Sequence, residues 1–185
     1  MFFEKLYHIG VSDMLKFIAG LSLAAVFSFG SEIAVLKSVV DGDTLYFKSG
    51  GEEIKCRIAY IDTPESEENK KASKDASKCA GITSGRMVQF GKEATTFAKS
   101  FMKIGDKYKI YENGKDQYGR SICIVETPFG LFNEIMVGEG YAVPFMEYIK
   151  ENDVKDRYEK LLKHAKSNKK GVWGKEPSVM NCLLR

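Results

Sequence analysis

The chain has 185 residues, 44% of them hydrophobic and 12% aromatic. That is enough apolar material for one packed domain, and it excludes a disordered chain. The formal net charge of +3 at pH 7 permits binding to a polyanion without demonstrating it.

At the N-terminus, Leu15 to Phe29 is almost wholly apolar, with Lys16 near its head. Ser28 and Gly30 place small residues at minus three and minus one of a cut before Ser31. This pattern reads as a secretory signal peptide, and it falls short of the ~20 apolar residues of a comfortable membrane span. An uncleaved anchor or a buried helix is the alternative, and the small-residue site decides for cleavage. Glu4 and Asp13 are unusual in the charged head of a signal, which makes Met14 a second candidate start. The expected organisation is a signal or extension over residues 1–30 and one folded domain over 31–185. The domain is expected to be exported, periplasmic or secreted, unless an uncleaved N-terminus retains it on the membrane.

Ser31 to Phe47 reads as strand, interrupted at Asp41-Gly42-Asp43, because glycine weakens a regular strand. Glu53 to Ile61 alternates, with Ile54, Cys56, Ile58 and Tyr60 on one side and Lys55, Arg57 and Ala59 on the other. Lys48 to Gly51 joins the two as a hairpin turn. Each strand ends in acids, Asp41 and Asp43 on the first, Asp62 and Glu65 after the second. Pairing the strands gathers these carboxylates beside Arg57, and packed acids normally need a cation.

Ser66 to Arg86 is rich in Ser, Lys, Glu and Asn and is expected to be a loop. Gly91 to Ile104 carries Ala94, Phe97, Ala98, Phe101 and Met102 at helical spacing. Lys107 to Tyr111 and Ser121 to Glu126 read as strands, separated by a turn at Asn113-Gly114. Leu131 to Val137 reads as a short helix and Tyr141 to Phe145 as extended chain. Asp153 to Asn168 forms an amphipathic helix, with Asn152 or Asp153 as its cap. The dense basic residues from Lys155 to Lys175 read as a solvated helix face, and Trp173 as a packing anchor.

Four cysteines remain after the proposed cut, which allows three pairings. Cys56 and Cys123 fall inside strand patterns and are expected as buried thiols. Cys79 lies in a polar insertion and Cys182 in the tail, so a bridge between them is favoured in an exported chain. No zinc spacing is present, and the only histidines are His8 and His164. A histidine-based triad is therefore out of reach, and carboxylates are left as the acid–base groups. Asp43 and Asp62 are the best metal ligands, since carboxylates suit hard cations. The alternative for Asp41-Gly42-Asp43 is an acidic turn. An EF-hand is excluded, because Leu45 stands where an oxygen ligand is needed.

Three blocks carry a resemblance: Asp41-Gly42-Asp43-Thr44 with Arg57, then Ile61-Asp62-Thr63-Pro64-Glu65, then Asp116-Gln117-Tyr118-Gly119-Arg120. In order and separation they resemble the staphylococcal nuclease family, over about Val35 to Trp173. The resemblance implies an α+β fold, a five-stranded OB-fold β-barrel with three α-helices. It implies calcium held by Asp43, Asp62 and the carbonyl of Thr63, with Asp41 as an outer carboxylate. It assigns Arg57 and Arg120 to the scissile phosphate and Glu65 to the attacking water, as base or as positioner. Tyr118 and Tyr148 match positions that contact the bound nucleotide.

The implied activity is calcium-dependent hydrolysis of phosphodiester bonds in DNA and RNA, with little sequence preference and 3′-phosphate products, by a monomer. Two positions depart from the pattern: Gln117 stands where a lysine is usual, and Met146 where a tyrosine is seen. Both bear on nucleotide binding more than on chemistry. The competing readings are a non-catalytic OB-fold nucleic-acid-binding module and an exported calcium-binding structural protein. Retention of Asp43, Arg57, Asp62, Glu65 and Arg120 together favours the enzyme.

Overall fold

A computed structural model describes residues 30–184. The signal-peptide reading of residues 1–30 therefore falls almost wholly outside the described residues. Five strands build the barrel: β1 (Ser31–Val39), β2 (Thr44–Ser49), β3 (Glu52–Ile58), β5 (Lys107–Lys115) and β6 (Ser121–Thr127). Two-residue strands β4 (Ile61–Asp62), β7 (Gly130–Leu131) and β8 (Val143–Pro144) sit at its margins. The sheet runs β3-β2-β1-β5-β6-β7, and a parallel pairing of β3 with β6 closes it. Closure removes the open edges that a five-stranded sheet would otherwise expose.

Inward positions carry the core. Leu36, Leu45, Phe47, Ile58, Ile110 and Val125 are essentially inaccessible and alternate with half-buried or exposed residues such as Lys37, Tyr46, Arg57, Lys109 and Glu126. The break expected at Asp41-Gly42-Asp43 is a complete reversal between β1 and β2, with Val39 opposite Leu45. It lifts both aspartates to one end of the barrel.

Five α-helices are present among the described residues, two more than expected: α1 (Lys70–Ala76), α2 (Ser84–Phe101), α3 (Phe132–Gly138), α4 (Asn152–Ser167) and α5 (Pro177–Leu183). Helix α1 lies in the stretch read as loop. Asn69 caps it by accepting the Ala72 amide at 2.8 Å. Its buried face consists of Ala72, Asp75 and Ala76, small or polar residues that give no hydrophobic period. Helix α2 starts seven residues earlier than the apolar spacing marks, because the Thr83 hydroxyl accepts the Arg86 amide. Asn152 and Asp153 do not cap α4; the cap position is Glu151, without a side-chain bond.

Cys79 and Cys182 are bonded, as expected. Cys56 and Cys123 are not free thiols but a second disulfide. Strands β3 and β6 are distant in sequence, and only barrel closure sets Ile58 opposite Cys123 and brings the two sulfurs together. Trp173 is buried in a second core, with Met87, Phe90, Val172, Val179 and Met180, that packs α2 and α5 together. Lys166 lies over its ring at 4.6 Å. In the basic stretch from Lys155 to Lys175, Arg157 pairs with Glu134, Lys170 with Glu139 and Lys175 with Glu93 on the surface. Among the described residues no helix is long and apolar enough to cross a membrane.

Candidate active site

The acids arrive at one place because of a tight turn between β3 and β4. Tyr60 adopts φ 66°, a left-handed conformation uncommon for a bulky residue. Its carbonyl accepts the Phe145 amide at 2.7 Å. The Arg57 guanidinium closes this turn by donating from Nη1 to the carbonyls of Ile58 and Ile61, both at 2.9 Å. Its other arm, Nη2, meets Asp62 Oδ1 at 3.2 Å and Asp43 Oδ2 at 3.3 Å. One planar fork thus fixes the turn and bridges the acids of two strands.

Asp43 is buried, and its Oδ2 accepts from the Thr63 amide at 3.0 Å and the Thr63 hydroxyl at 2.9 Å. Burial works against its charge, but Arg57, Lys71 and the bonds from Thr63 outweigh burial and hold its carboxyl below the usual range. Asp62 is buried as well; there burial dominates and raises the carboxyl despite the opposing charges of Lys71 and Arg57. Asp41 receives the Asp43 amide at 2.9 Å. Burial, followed by the charge of Asp43, pushes its carboxyl up to about 7.

Glu65 is placed by the close approach of α2. A Cβ built on Gly91 would stand 2.0 Å from the Glu65 carbonyl oxygen and 2.7 Å from that of Pro64. Only a glycine in α2 lets the segment carrying Glu65 lie against the helix. Gly42 serves the same packing, since a Cβ there would meet the Thr63 methyl at 2.9 Å.

Helix α1 brings two residues that the sequence pattern did not mark. Lys71 Nζ lies 2.9 Å from Glu65 Oε1, 3.2 Å from Asp62 Oδ1 and 3.1 Å from Asp75 Oδ2. It also reaches the Thr63 carbonyl at 3.5 Å. Asp75 is fully buried and is paired with Lys78 too. The i, i+4 spacing of Lys71 and Asp75 behind a capping Asn69 is the signal that marks this helix in retrospect.

The cleft has a volume of about 870 Å³ and is lined by Asp41, Asp43, Arg57, Asp62, Glu65, Lys71, Tyr118, Arg120 and Tyr148. The carboxylates, arginines and tyrosines marked in the sequence therefore line one space, while Thr63 is buried behind it. Arg120 Nε is held by Asp116 Oδ2 at 2.6 Å, and its guanidinium lies 5.6 Å from the Tyr118 ring centre. Tyr118 and Tyr148 are 75% and 61% exposed, a large aromatic area left in water at the cleft mouth. Lys70, Lys74, Lys115 and Lys150 rim the cleft, as does Gln117. Met146 is partly buried against the core. His164 is on α4, with Asn168 as its neighbour, and does not line the cleft.

The donors fit a hard cation. Carboxylates and a peptide carbonyl are the ligand types calcium takes, and the Lys71 ammonium already draws together Asp62, Glu65 and the Thr63 carbonyl. Among the described residues no three acidic, histidine or cysteine side chains form a ready-made cage. Any ion here would rely on the backbone carbonyl of Thr63 beside Asp43 and Asp62.

Residues 55–175 match the model of the staphylococcal nuclease homologue family. A thermonuclease of Staphylococcus hyicus is 30% identical over 139 residues, covering 73% of this chain and 72% of that protein. An uncharacterized protein of Methanocaldococcus jannaschii is 31% identical over 144 residues, covering 73% and 68%. A prophage-derived endonuclease of Bacillus subtilis is 29% identical over 146 residues, covering 78% of this chain and 45% of that protein.

Two predictions follow from the geometry. Gly91→Ala forces α2 and the Glu65 backbone apart; overpacking of this kind costs about 1–3 kcal/mol, read as a lowered urea midpoint. A midpoint equal to that of the unaltered protein would contradict the close approach.

Asp75 is the pH probe. Burial raises its carboxyl, but the bonds and charges of Lys78 and Lys71 outweigh burial and hold it below the ordinary 3.8. An acid depressed on folding contributes stability above its unfolded value, and the contribution is lost as pH falls through the folded value. Asp75→Asn should therefore lose about 1–3 kcal/mol at pH 7, with the gap closing well below pH 4. A gap that is constant with pH would exclude the ionic origin.

Proposed function

The chain belongs to the staphylococcal nuclease family, and on that premise we propose that it is a calcium-dependent nuclease that hydrolyses phosphodiester bonds in DNA and RNA with little sequence preference. The observation that carries the reading is the convergence of Arg57, Arg120, Asp43, Asp62 and Glu65 on one open cleft rimmed by lysines and tyrosines. A binding module needs the lysines and the aromatic rings; it has no use for a buried acid pair bridged by an arginine.

In this reading Asp43, Asp62 and the Thr63 carbonyl hold the calcium ion, with Asp41 behind them. When bound, the ion offsets charge on the phosphoryl oxygens and orients the phosphate. Arg120 presents its Nη edge to the phosphate, and Arg57, whose Nη donors are taken up by Ile58, Ile61, Asp62 and Asp43, acts on it through its charge; both stabilise charge that builds up on the phosphoryl centre. Asp116 holds Arg120 by its Nε edge and aims it into the cleft. Glu65 takes up or directs the proton of the attacking water. Both of its carboxylate oxygens are engaged, Oε1 by Lys71 and Oε2 by Asn69 Nδ2 at 2.7 Å. It must give up at least one of these bonds to act.

Tyr118 and Tyr148 offer flat faces on which bases stack without regard to sequence. Lys70, Lys74, Lys115 and Lys150 supply the backbone contacts for which Gln117 lacks the charge. The expected products carry 3′-phosphates. Export through the N-terminal signal and a monomeric state belong to the same reading; export agrees with the presence of two disulfides.

Plasmid DNA and single-stranded RNA should both be cut in the presence of calcium and spared in chelator. Arg57→Ala, Arg120→Ala and Glu65→Gln should each lower kcat by about 10²–10³-fold, with binding of a short oligonucleotide kept for Glu65→Gln. Full activity in chelator, or a variant that cleaves at the original rate, would remove the role assigned.

A further inference from the structure

Lys71 is where no ordinary surface lysine would be. Its Nζ has three protons to donate, and three carboxylates from two segments take them: Asp62 and Glu65 beside the turn after β3, and Asp75 one helical turn along α1. The Thr63 carbonyl faces the same nitrogen at 3.5 Å. Asp62 and Thr63 belong to the set assigned above to the calcium ion, and Glu65 to the attacking water. We propose that the Lys71 ammonium is a tethered occupant of the cation seat, so that a divalent ion binds only by displacing it, and that Lys71 thereby sets the affinity of the seat. The proposal rests on the reading that Asp43, Asp62 and Thr63 hold the ion.

Charge and reach support it. The cluster gathers Asp41, Asp43, Asp62 and Glu65 along one cleft, and the single charge of Arg57 pairs with only Asp43 and Asp62. An added monovalent charge offsets their repulsion while the divalent ion is absent. The two cations cannot share the same oxygens at contact distance, because like charges that close repel strongly. Asp75 gives the ammonium a second residence. It pairs with Lys71 along the helix, so Nζ can leave Asp62 and Glu65 and still keep a buried carboxylate.

The helix that carries Lys71 is also held down. Asn69 caps α1 and donates to Glu65, and Cys79, three residues past the helix, is bonded to Cys182 in α5. The ammonium therefore has a high effective concentration at the seat, as a tethered ligand does. A seat open only a tenth of the time or less binds its ion at least about tenfold more weakly than the same seat left open.

Calorimetric titration with calcium chloride, without nucleic acid, tests this on the whole mature chain. Lys71→Met keeps the length of the side chain and removes the charge, and Lys71→Arg keeps the charge. Lys71→Met should bind calcium at least tenfold more tightly than the unaltered protein, and Lys71→Arg should not. The side chain of Lys71 is about one-third exposed, and near-UV circular dichroism checks that the variant keeps its packing. Should Lys71→Met bind calcium equally or more weakly, with the unaltered protein still binding, the displacement is refuted while the calcium seat stands. Should neither bind at millimolar calcium, the seat itself is refuted, and the proposal with it.

Discussion

The site depends on a charge balance. Asp43 and Asp62 are both buried and come from segments that do not pair with each other, and Asp41 and Glu65 stand beside them. Such a group is stable only with positive charge inserted between its members. Arg57 does the larger part of this. Its fork reaches two carboxylates and two carbonyls, so one side chain sets the turn after β3 and the spacing of the acids. Removing one partner of such a buried set leaves uncompensated charge, a far larger penalty than the net value of the set when complete. The arginine therefore holds the turn and the acids together.

The barrel serves this arrangement by bringing chain ends together. The reversal between β1 and β2 presents Asp41 and Asp43. The turn after β3 presents Asp62 to Glu65, and the turn before β6 presents Tyr118 and Arg120. Closure by β3 against β6 sets these turns at one end, and the Cys56–Cys123 disulfide locks the two strands. A bridge closing a loop of this size contributes about 4.4 kcal/mol in the chain-entropy account. Helix α2 then presses on Glu65 through Gly91, which leaves that segment little freedom.

Much of this was legible in the residues. The alternating strands, the acids at their ends and Arg57 within β3 follow from period and position alone, and the three blocks tie them to a family. Two things were hidden for physical reasons. Helix α1 buries alanines and an aspartate instead of large apolar side chains, so it has no amphipathic period to read, and with it Lys71 and Asp75 went unmarked. The bond between Cys56 and Cys123 depends on a parallel contact made only when the barrel closes, which no local pattern announces. Cys79 and Cys182 were easier, because both lie outside the strands, in segments with few other anchors.

The central claim is that Asp43, Asp62 and the Thr63 carbonyl form the seat of one divalent cation. Crystals of the protein grown with calcium chloride, measured for anomalous scattering, test it most directly. The account predicts a single strong peak at about 2.3–2.6 Å from oxygens of all three residues, with Arg57 still bridging the acids. A peak elsewhere, or none at saturating calcium, would contradict it.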